Sequence, residues 1–270
     1  VMDLDALLAA TLAEDLGDAG DLTSLATVPA DAVLRVGYVT RQPGVVCGLQ
    51  VVEALCPGLV VDASDGDRVE AGRRLAVWEA PAREVLRLER TSLNLLGHLS
   101  GVATATRAWV DAVEGTGARI RDTRKTLPLL RDLQKYAVRC GGGVNHRAGL
   151  YDAILIKDNH VAAAGGVGAA LDAAYAAHPR GTLVVQVEVD SLDQLDEALD
   201  HGAEQVLLDN FSLADLREAV RRRPAGVMLE ASGGLRLENA RAVASTRVDY
   251  LAVGALTHSV VVLDVGLDVV

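Results

Sequence analysis

The stretch LVVQVEVDSLDQLDEALDHGAEQVLLDNFSLADLREAVRRRPAGVMLEASGG, Leu183 to Gly234, decides the fold. It holds three apolar runs, LVVQVEVD, EQVLLDN and GVMLEASGG, each closing on polar or small residues. Between them, Leu192 to His201 and Leu213 to Arg222 space their apolar residues three and four apart, the period of an amphipathic helix. Apolar runs of strand length alternating with helices predict βαβ units, whose parallel strands are buried on both faces.

Outward from this stretch the rhythm repeats. ARIRDT and DAILIKD precede it, DYLAVGAL follows it, and Val167 to Ala177 supplies another helix. At roughly 20–30 residues per βα unit there is room for about six strands, fewer than the eight of a full barrel. A six-stranded barrel and an open doubly wound sheet are both compatible with that count. Nearer the N-terminus, Leu4, Leu7, Leu8, Leu12 and Leu16 predict a helix from Asp3 to Leu16 that stops at Gly17. Short β-rich runs between Val33 and Glu79 alternate with Gly, Pro and Asp turns and predict a small sheet domain. Pro81 opens a helical region reaching about Val113. The tail from His258 to Val270 alternates late and has no helix behind it, so it is expected to return as a strand on the N-terminal sheet. The expected divisions are residues 1–100, 101–256 and 257–270.

Composition narrows the function. The chain has 270 residues, half of them hydrophobic, only 3% aromatic, and a net charge of −11. Few aromatics and an acidic balance argue against a nucleic-acid surface, which needs stacking platforms and an extended basic face. No run of about 18 apolar residues is present, so neither a membrane span nor export is expected. Cys47, Cys56 and Cys140 are odd in number and lack CxxC spacing, which points to neither a disulfide framework nor a zinc knuckle and fits a reducing cytoplasm.

Within this acidic chain, Arg121 to His160 is an exception. It carries eight Lys and Arg against four Asp. Arg124, Lys125, His146, Arg147 and Lys157 offer forked and point-charge donors for carboxylates or phosphates. Lys157 follows the apolar run AILI, where a desolvated ammonium needs an anion. Arg131, Lys135 and Arg139 read instead as a solvated helix face laced with ion pairs. Active sites of parallel α/β folds gather at the carboxyl ends of the strands, where Arg124, Lys157, Glu188, Asp209, Ser232 and Gly254 all fall. Glu188 and Asp209 could hold Mg²⁺, which prefers oxygen donors, or could each cap the following helix. Ser232 and Gly233, in LEASGGL, and Gly254, in VGAL, form small-residue turns whose N–H groups could cradle a phosphate.

Taken together and in order, EDLGDAGDLTS, ERTSLNLLGHLSG, RDTRKT, GGGVNHR, LIKDNH, VEVD, LLDN, EASGG and VGALTHS resemble the quinolinate phosphoribosyltransferases over nearly the whole chain. That resemblance implies a type II phosphoribosyltransferase-like architecture: an N-terminal open α/β sandwich, an incomplete α/β barrel, and a homodimer in which one subunit's sandwich covers the other's barrel mouth, with higher assembly left open. It implies conversion of quinolinate and phosphoribosyl pyrophosphate to nicotinate mononucleotide, pyrophosphate and CO₂, with Mg²⁺. Residues matching Arg124, Lys125, His146, Arg147 and Lys157 bind the dicarboxylate and pyrophosphate in that family. Arg90 matches an arginine given to the neighbouring subunit's site. Glu188 and Asp209 match acids near the ribose and metal, directly or through water, so Lys125, Glu188 and Asp209 form the expected catalytic set. Ser232, Gly233 and Gly254 match the phosphate loops. The chain departs at Leu129, where the family's stretch commonly has Gly. Two other enzyme readings are a nicotinate phosphoribosyltransferase and a barrel aldolase using Lys157 as a Schiff base. VEAGRRLAVWEA also resembles a lipoyl or biotinyl carrier hammerhead, but no lysine occupies its hairpin.

Overall fold

The computed structural model describes residues 3–270, and its contacts divide the chain into two compact units. The first holds residues up to Arg107, Thr126–Gly142 and Leu256–Val270; the second holds Ala108–Lys125 and Gly143–Ala255. The tail piece starts at Leu256, beside the expected division, whereas the first break falls at Arg107 and Thr126–Gly142 joins the first unit. The physical reason is a single helix, Ala82–Ala112, which runs unbroken through the expected first boundary.

In the first unit, α1 (Leu4–Leu16) starts at Asp3, whose carboxylate accepts from Asp5 N, and stops at Gly17. After α2 (Leu22–Thr27), β1 (Val33–Thr40), β2 (Gly44–Val45), α3 (Leu49–Leu55), β3 (Val60–Val61), β4 (Arg68–Val69) and β5 (Arg74–Pro81) follow. The helix across the boundary is α4. The unit is completed by α5 (Arg131–Cys140), most of α11 (Ala255–His258) and β12 (Val265–Val269). Its sheet is antiparallel in the order β12-β1-β5-β3, so the tail does return as a strand, pairing Tyr38 with Leu267. Trp78 and Tyr38 are its largest buried side chains, and each polar end is satisfied. Trp78 Nε1 donates to Pro57 O at 3.0 Å, and Tyr38 Oη meets Ser92 Oγ at 2.8 Å. The tail lies against α4 so closely that a Cβ at Gly101 would stand 2.4 Å from Val261 O.

The second unit contains β6 (Arg119–Arg121), β7 (Ile154–Ile156), α6 (Asp158–Ala164), α7 (Val167–Ala177), β8 (Val185–Val189), α8 (Leu192–Asp200), β9 (Gln205–Asp209), α9 (Leu213–Arg222), β10 (Met228–Ser232), α10 (Leu237–Ala244) and β11 (Tyr250–Ala252). All six strands are parallel, in the order β6-β11-β10-β9-β8-β7. From β7 to β11 the order never reverses, so there is no switch point of the kind a doubly wound sheet requires. The strands wrap in one direction and β6 adds beside β11, giving an incomplete six-stranded barrel.

Strand parity does the rest. Val187, Val206, Leu208, Leu229 and Leu251 are fully buried on one side, with Leu195 and Ala219 from the helices; each such leucine contributes about 1.5–3 kcal/mol on burial. Residues of opposite parity point to the barrel interior.

Candidate active site

The interior opens into a cavity of about 410 Å³ lined by Thr123, Arg124, Lys125, His146, Arg147, Leu155, Lys157, Glu188, Leu207, Asp209, Glu230, Ser232 and Ala252. Eight of the eleven expected site residues are thus brought together within one unit. Gly233 and Gly254 fall outside this lining, as does Arg90, which is exposed on α4 in the first unit.

Glu188, Asp209 and Ser232 stand at strand ends, Arg124 and Lys125 lie in the loop after β6, and His146 and Arg147 lie in the loop before β7. Lys157 follows β7 and pairs with Glu188 on β8, Nζ to Oε2, at 2.8 Å. The lysine side chain is 45% exposed, so the expected desolvated ammonium is in fact a hydrated one with a carboxylate partner. Neither Glu188 nor Asp209 caps a helix. Ser191 caps α8 and Ser212 caps α9, accepting from Gln194 N and Asp215 N. Both carboxylates are therefore left facing the cavity, with Asp209 Oδ2 accepting from Asn210 Nδ2 at 2.7 Å.

Gly233 is required by its neighbour. It has φ +81°, and a Cβ there would lie 2.2 Å from Asn210 Oδ1 and 2.9 Å from Asn210 N.

Arg124 and Arg147 carry the strongest sign of an anion. The Nε of each is buried and has no hydrogen-bond partner among the described residues. Burial first, and the nearby Arg124 second, hold the Arg147 guanidinium below its ordinary range. Two like charges kept close, with donors unsatisfied, are stabilised when a polyanion enters.

Beneath the rim lies a buried polar layer that the sequence reading missed. Glu230 is 1% exposed; its Oε2 accepts from Arg121 Nη1 at 2.7 Å and from Gln186 Nε2 at 2.9 Å. Gln186 Oε1 in turn meets His146 Nε2 at 2.8 Å. Because His146 Nδ1 accepts the Arg147 backbone N–H at 2.8 Å, the proton belongs on Nε2, and the imidazole donates to Gln186. Asp122, fully buried, accepts from His146 N at 2.7 Å and Asn145 Nδ2 at 2.5 Å, fixing the loop that presents the ring. A signal was present: Gln186 and Glu230 stand two residues before Glu188 and Ser232, the same-face spacing of a strand.

Of the basic helix face expected around Arg131, Lys135 and Arg139, Arg139 is exposed and Arg131 half-buried, but Lys135 is corrected. α5 belongs to the first unit, and its Gln134 and Lys135 are buried with Ala137 and Val138. Gln134 ties that helix down through Leu127 N, Thr257 O and His98 Nε2, each at 2.9 Å. His98 thus serves inside the helix packing of α4, not in a surface loop.

Comparison with known proteins agrees with this geometry. Residues 21–100 and 102–268 match the models for the N-terminal and C-terminal domains of quinolinate phosphoribosyl transferase. The chain belongs to the quinolinate phosphoribosyltransferase family. It is 55% identical to nicotinate-nucleotide pyrophosphorylase [carboxylating] of Mycobacterium leprae, over 95% of this chain and 94% of that protein. Quinolinate phosphoribosyltransferase [decarboxylating] 1b of Nicotiana tabacum is 36% identical over 99% of this chain and 82% of its own length. The crystal structure of the nicotinate-nucleotide pyrophosphorylase of Ehrlichia chaffeensis has TM-score 0.94 and 35% identity, covering 100% of this chain and 99% of that one. Leu129 has φ +64°, a left-handed conformation that glycine adopts without strain and that this chain meets with a leucine.

Proposed function

We propose that the protein transfers the phosphoribosyl group of phosphoribosyl pyrophosphate to quinolinate and releases CO₂, giving nicotinate mononucleotide and pyrophosphate in de novo NAD biosynthesis. One observation carries this reading: five cationic or donor side chains, Arg124, Lys125, His146, Arg147 and Lys157, share one cavity with Glu188 and Asp209. The two substrates together bring many negative charges, and unsatisfied guanidinium donors favour exactly such ligands over neutral ones by opposing charge and by hydrogen bonding. Holding the pyridine nitrogen in line with ribose C1 is the main catalytic task. Nitrogen attack forms the N–C1 bond as the C1–oxygen bond to pyrophosphate breaks, and Glu188 and Asp209 stabilise the positive charge that develops on the ribose. The new pyridinium then accepts the electron pair released when the adjacent carboxylate leaves as CO₂, and a proton takes its place.

Mg²⁺ suits the oxygen donors here. Asp209 and Glu188 also line a neighbouring hollow with Asp158, Asp190 and Gln194, oxygen donors of the kind that cation accepts. Asp209 and Glu188 would hold it, directly or through water, and it would offset charge on the pyrophosphate group. We also propose a homodimer in which Arg90, exposed on α4, reaches a second copy's cavity. Mixing Arg90→Ala with Lys157→Ala tests this: recovery of turnover from two weak variants is expected of shared sites, and none of separate ones. The cytoplasm is the expected location.

The aldolase alternative is disfavoured by the Lys157–Glu188 pair, the arrangement of a charge donor rather than of a free amine. The test of the main reading is coupled detection of CO₂ and nicotinate mononucleotide from quinolinate, in wild type, Arg124→Ala and Lys157→Ala. Both variants are expected to be severely impaired. Unimpaired turnover would refute the site, and turnover of nicotinate in place of quinolinate would refute the substrate.

A further inference from the structure

The first unit contains a cluster that the phosphoribosyl chemistry does not use. Cys47 stands between β2 and α3, fully buried, with its backbone clamped by Ser100: Cys47 N donates to Ser100 Oγ at 3.0 Å, and that hydroxyl donates to Cys47 O at 3.1 Å. Cys140 is the last residue of α5 and is partly exposed. Their sulfurs and a carboxylate oxygen of Asp65 lie within 4.8 Å of one another. We propose that Cys47 and Cys140 form a reversible disulfide site, closed by a hydroperoxide and reopened by a dithiol.

The two thiols are unequal in the way such chemistry requires. The Cys47 thiol beside it lowers the Cys140 thiol from its ordinary value, against the opposing effects of burial and of Asp65, and Arg139 adds to the lowering. The shift favours the thiolate of Cys140, the form that attacks peroxides. The neighbouring Cys140 sulfur, with burial, pushes Cys47 above the ordinary thiol range, so it stays protonated. A partly exposed nucleophile thus sits beside a buried resolving thiol.

A metal ion is the competing occupant, and Asp65 argues against it. Its Oδ1 accepts from Gly48 N and Leu49 N, both at 3.0 Å, and its Oδ2 accepts from Tyr136 Oη at 3.0 Å. A cation bound there would face those donor hydrogens. The carboxylate serves instead to cap the start of α3 and to hold Tyr136 at the thiol pair. The third thiol, Cys56, is fully buried against Tyr38 Oη at 3.6 Å and is pushed up to about 11 by burial, which makes it an internal control.

In the forward step, Cys140 sulfur attacks the peroxide, the O–O bond breaks, and hydroxide leaves to become water. Cys47 sulfur then attacks the resulting sulfenic acid, the S–O bond breaks, and a second water leaves with the Cys47 proton. Two thiols lose two electrons and one hydrogen peroxide becomes two waters. The site is independent of the activity proposed above.

The test is a peptide map of the full chain under non-reducing conditions, after treatment with one equivalent of hydrogen peroxide. A Cys47–Cys140 linkage is expected, free thiols falling from three to one, with Cys56 unmodified and dithiothreitol restoring all three. Cys140→Ser should abolish the thiol loss, and Cys47→Ser should leave a sulfenic acid on Cys140 that dimedone traps. Direct passage of Cys140 to a sulfinic acid, or a bond only between chains, would overturn the proposal. So would Zn²⁺ that survives dialysis and shields both thiols from labelling, which would assign a metal site. If Cys47→Ser fails to fold, the wild-type map decides alone.

Discussion

One basic segment, Arg121 to His160, has two fates. Its ends, through Lys125 and from Gly143 onward, belong to the barrel unit and supply cavity residues; its middle, Thr126–Gly142, belongs to the other unit. The charges of the ends face a cavity and are held for a ligand. In the middle, Arg139 stays exposed while Lys135 is built into packing, 4% exposed, although it reads in sequence like a residue of a solvated helix. Local charge density therefore marks a region of interest, but the unit to which each residue returns decides whether its charge binds or supports.

The largest test of this contrast lies under the cavity. Glu230→Ala removes the buried partner of Arg121 and is expected to cost about 3–5 kcal/mol in urea unfolding, because a buried cation loses its counter-charge. A loss near zero would show that the lower layer does not support the rim. Next, Lys157→Ala should lower kcat/KM for quinolinate by about 10²–10³-fold while changing stability by less than about 1 kcal/mol, since its ion pair is partly solvated. Lys135→Ala should do the reverse, destabilising by about 2–4 kcal/mol with little change in turnover per folded molecule. If both lysines behaved alike, the division of the segment would be wrong.

A smaller effect is expected at Leu129. Replacing it with Gly relieves a left-handed backbone at an exposed site and should stabilise by about 0.5–1 kcal/mol, the relief exceeding the added freedom of the unfolded chain. The smallest concerns pH. Burial lowers the His98 imidazole from its ordinary 6.5, so the unfolded chain takes up its proton first as pH falls. Its contribution is complete above 6.5 and is lost as pH drops through that value toward the folded one. Urea midpoints measured across this window should fall for wild type and stay flatter for His98→Gln.

Much of this was readable beforehand. The βα rhythm, the returning tail and the rim donors all follow from period and position, because strands and helices impose their spacing directly on the sequence. What sequence did not reveal is set by long-range packing. Gln186 and Glu230 look like polar interruptions of apolar runs until the barrel turns them onto one interior face. α5 buries Gln134 and Lys135, residue types whose pattern imitates a solvated face.

The pairing of β12 with β1 carries a consequence for how the molecule is made. Contacts such as Arg41–Asp268 join residues 227 positions apart, so the first sheet cannot be finished until the last strand has left the ribosome. The barrel strands, from β6 to β11, are all synthesised before it. During translation the barrel can thus form while β1 still presents an open edge, a template for wrong partners until the tail arrives.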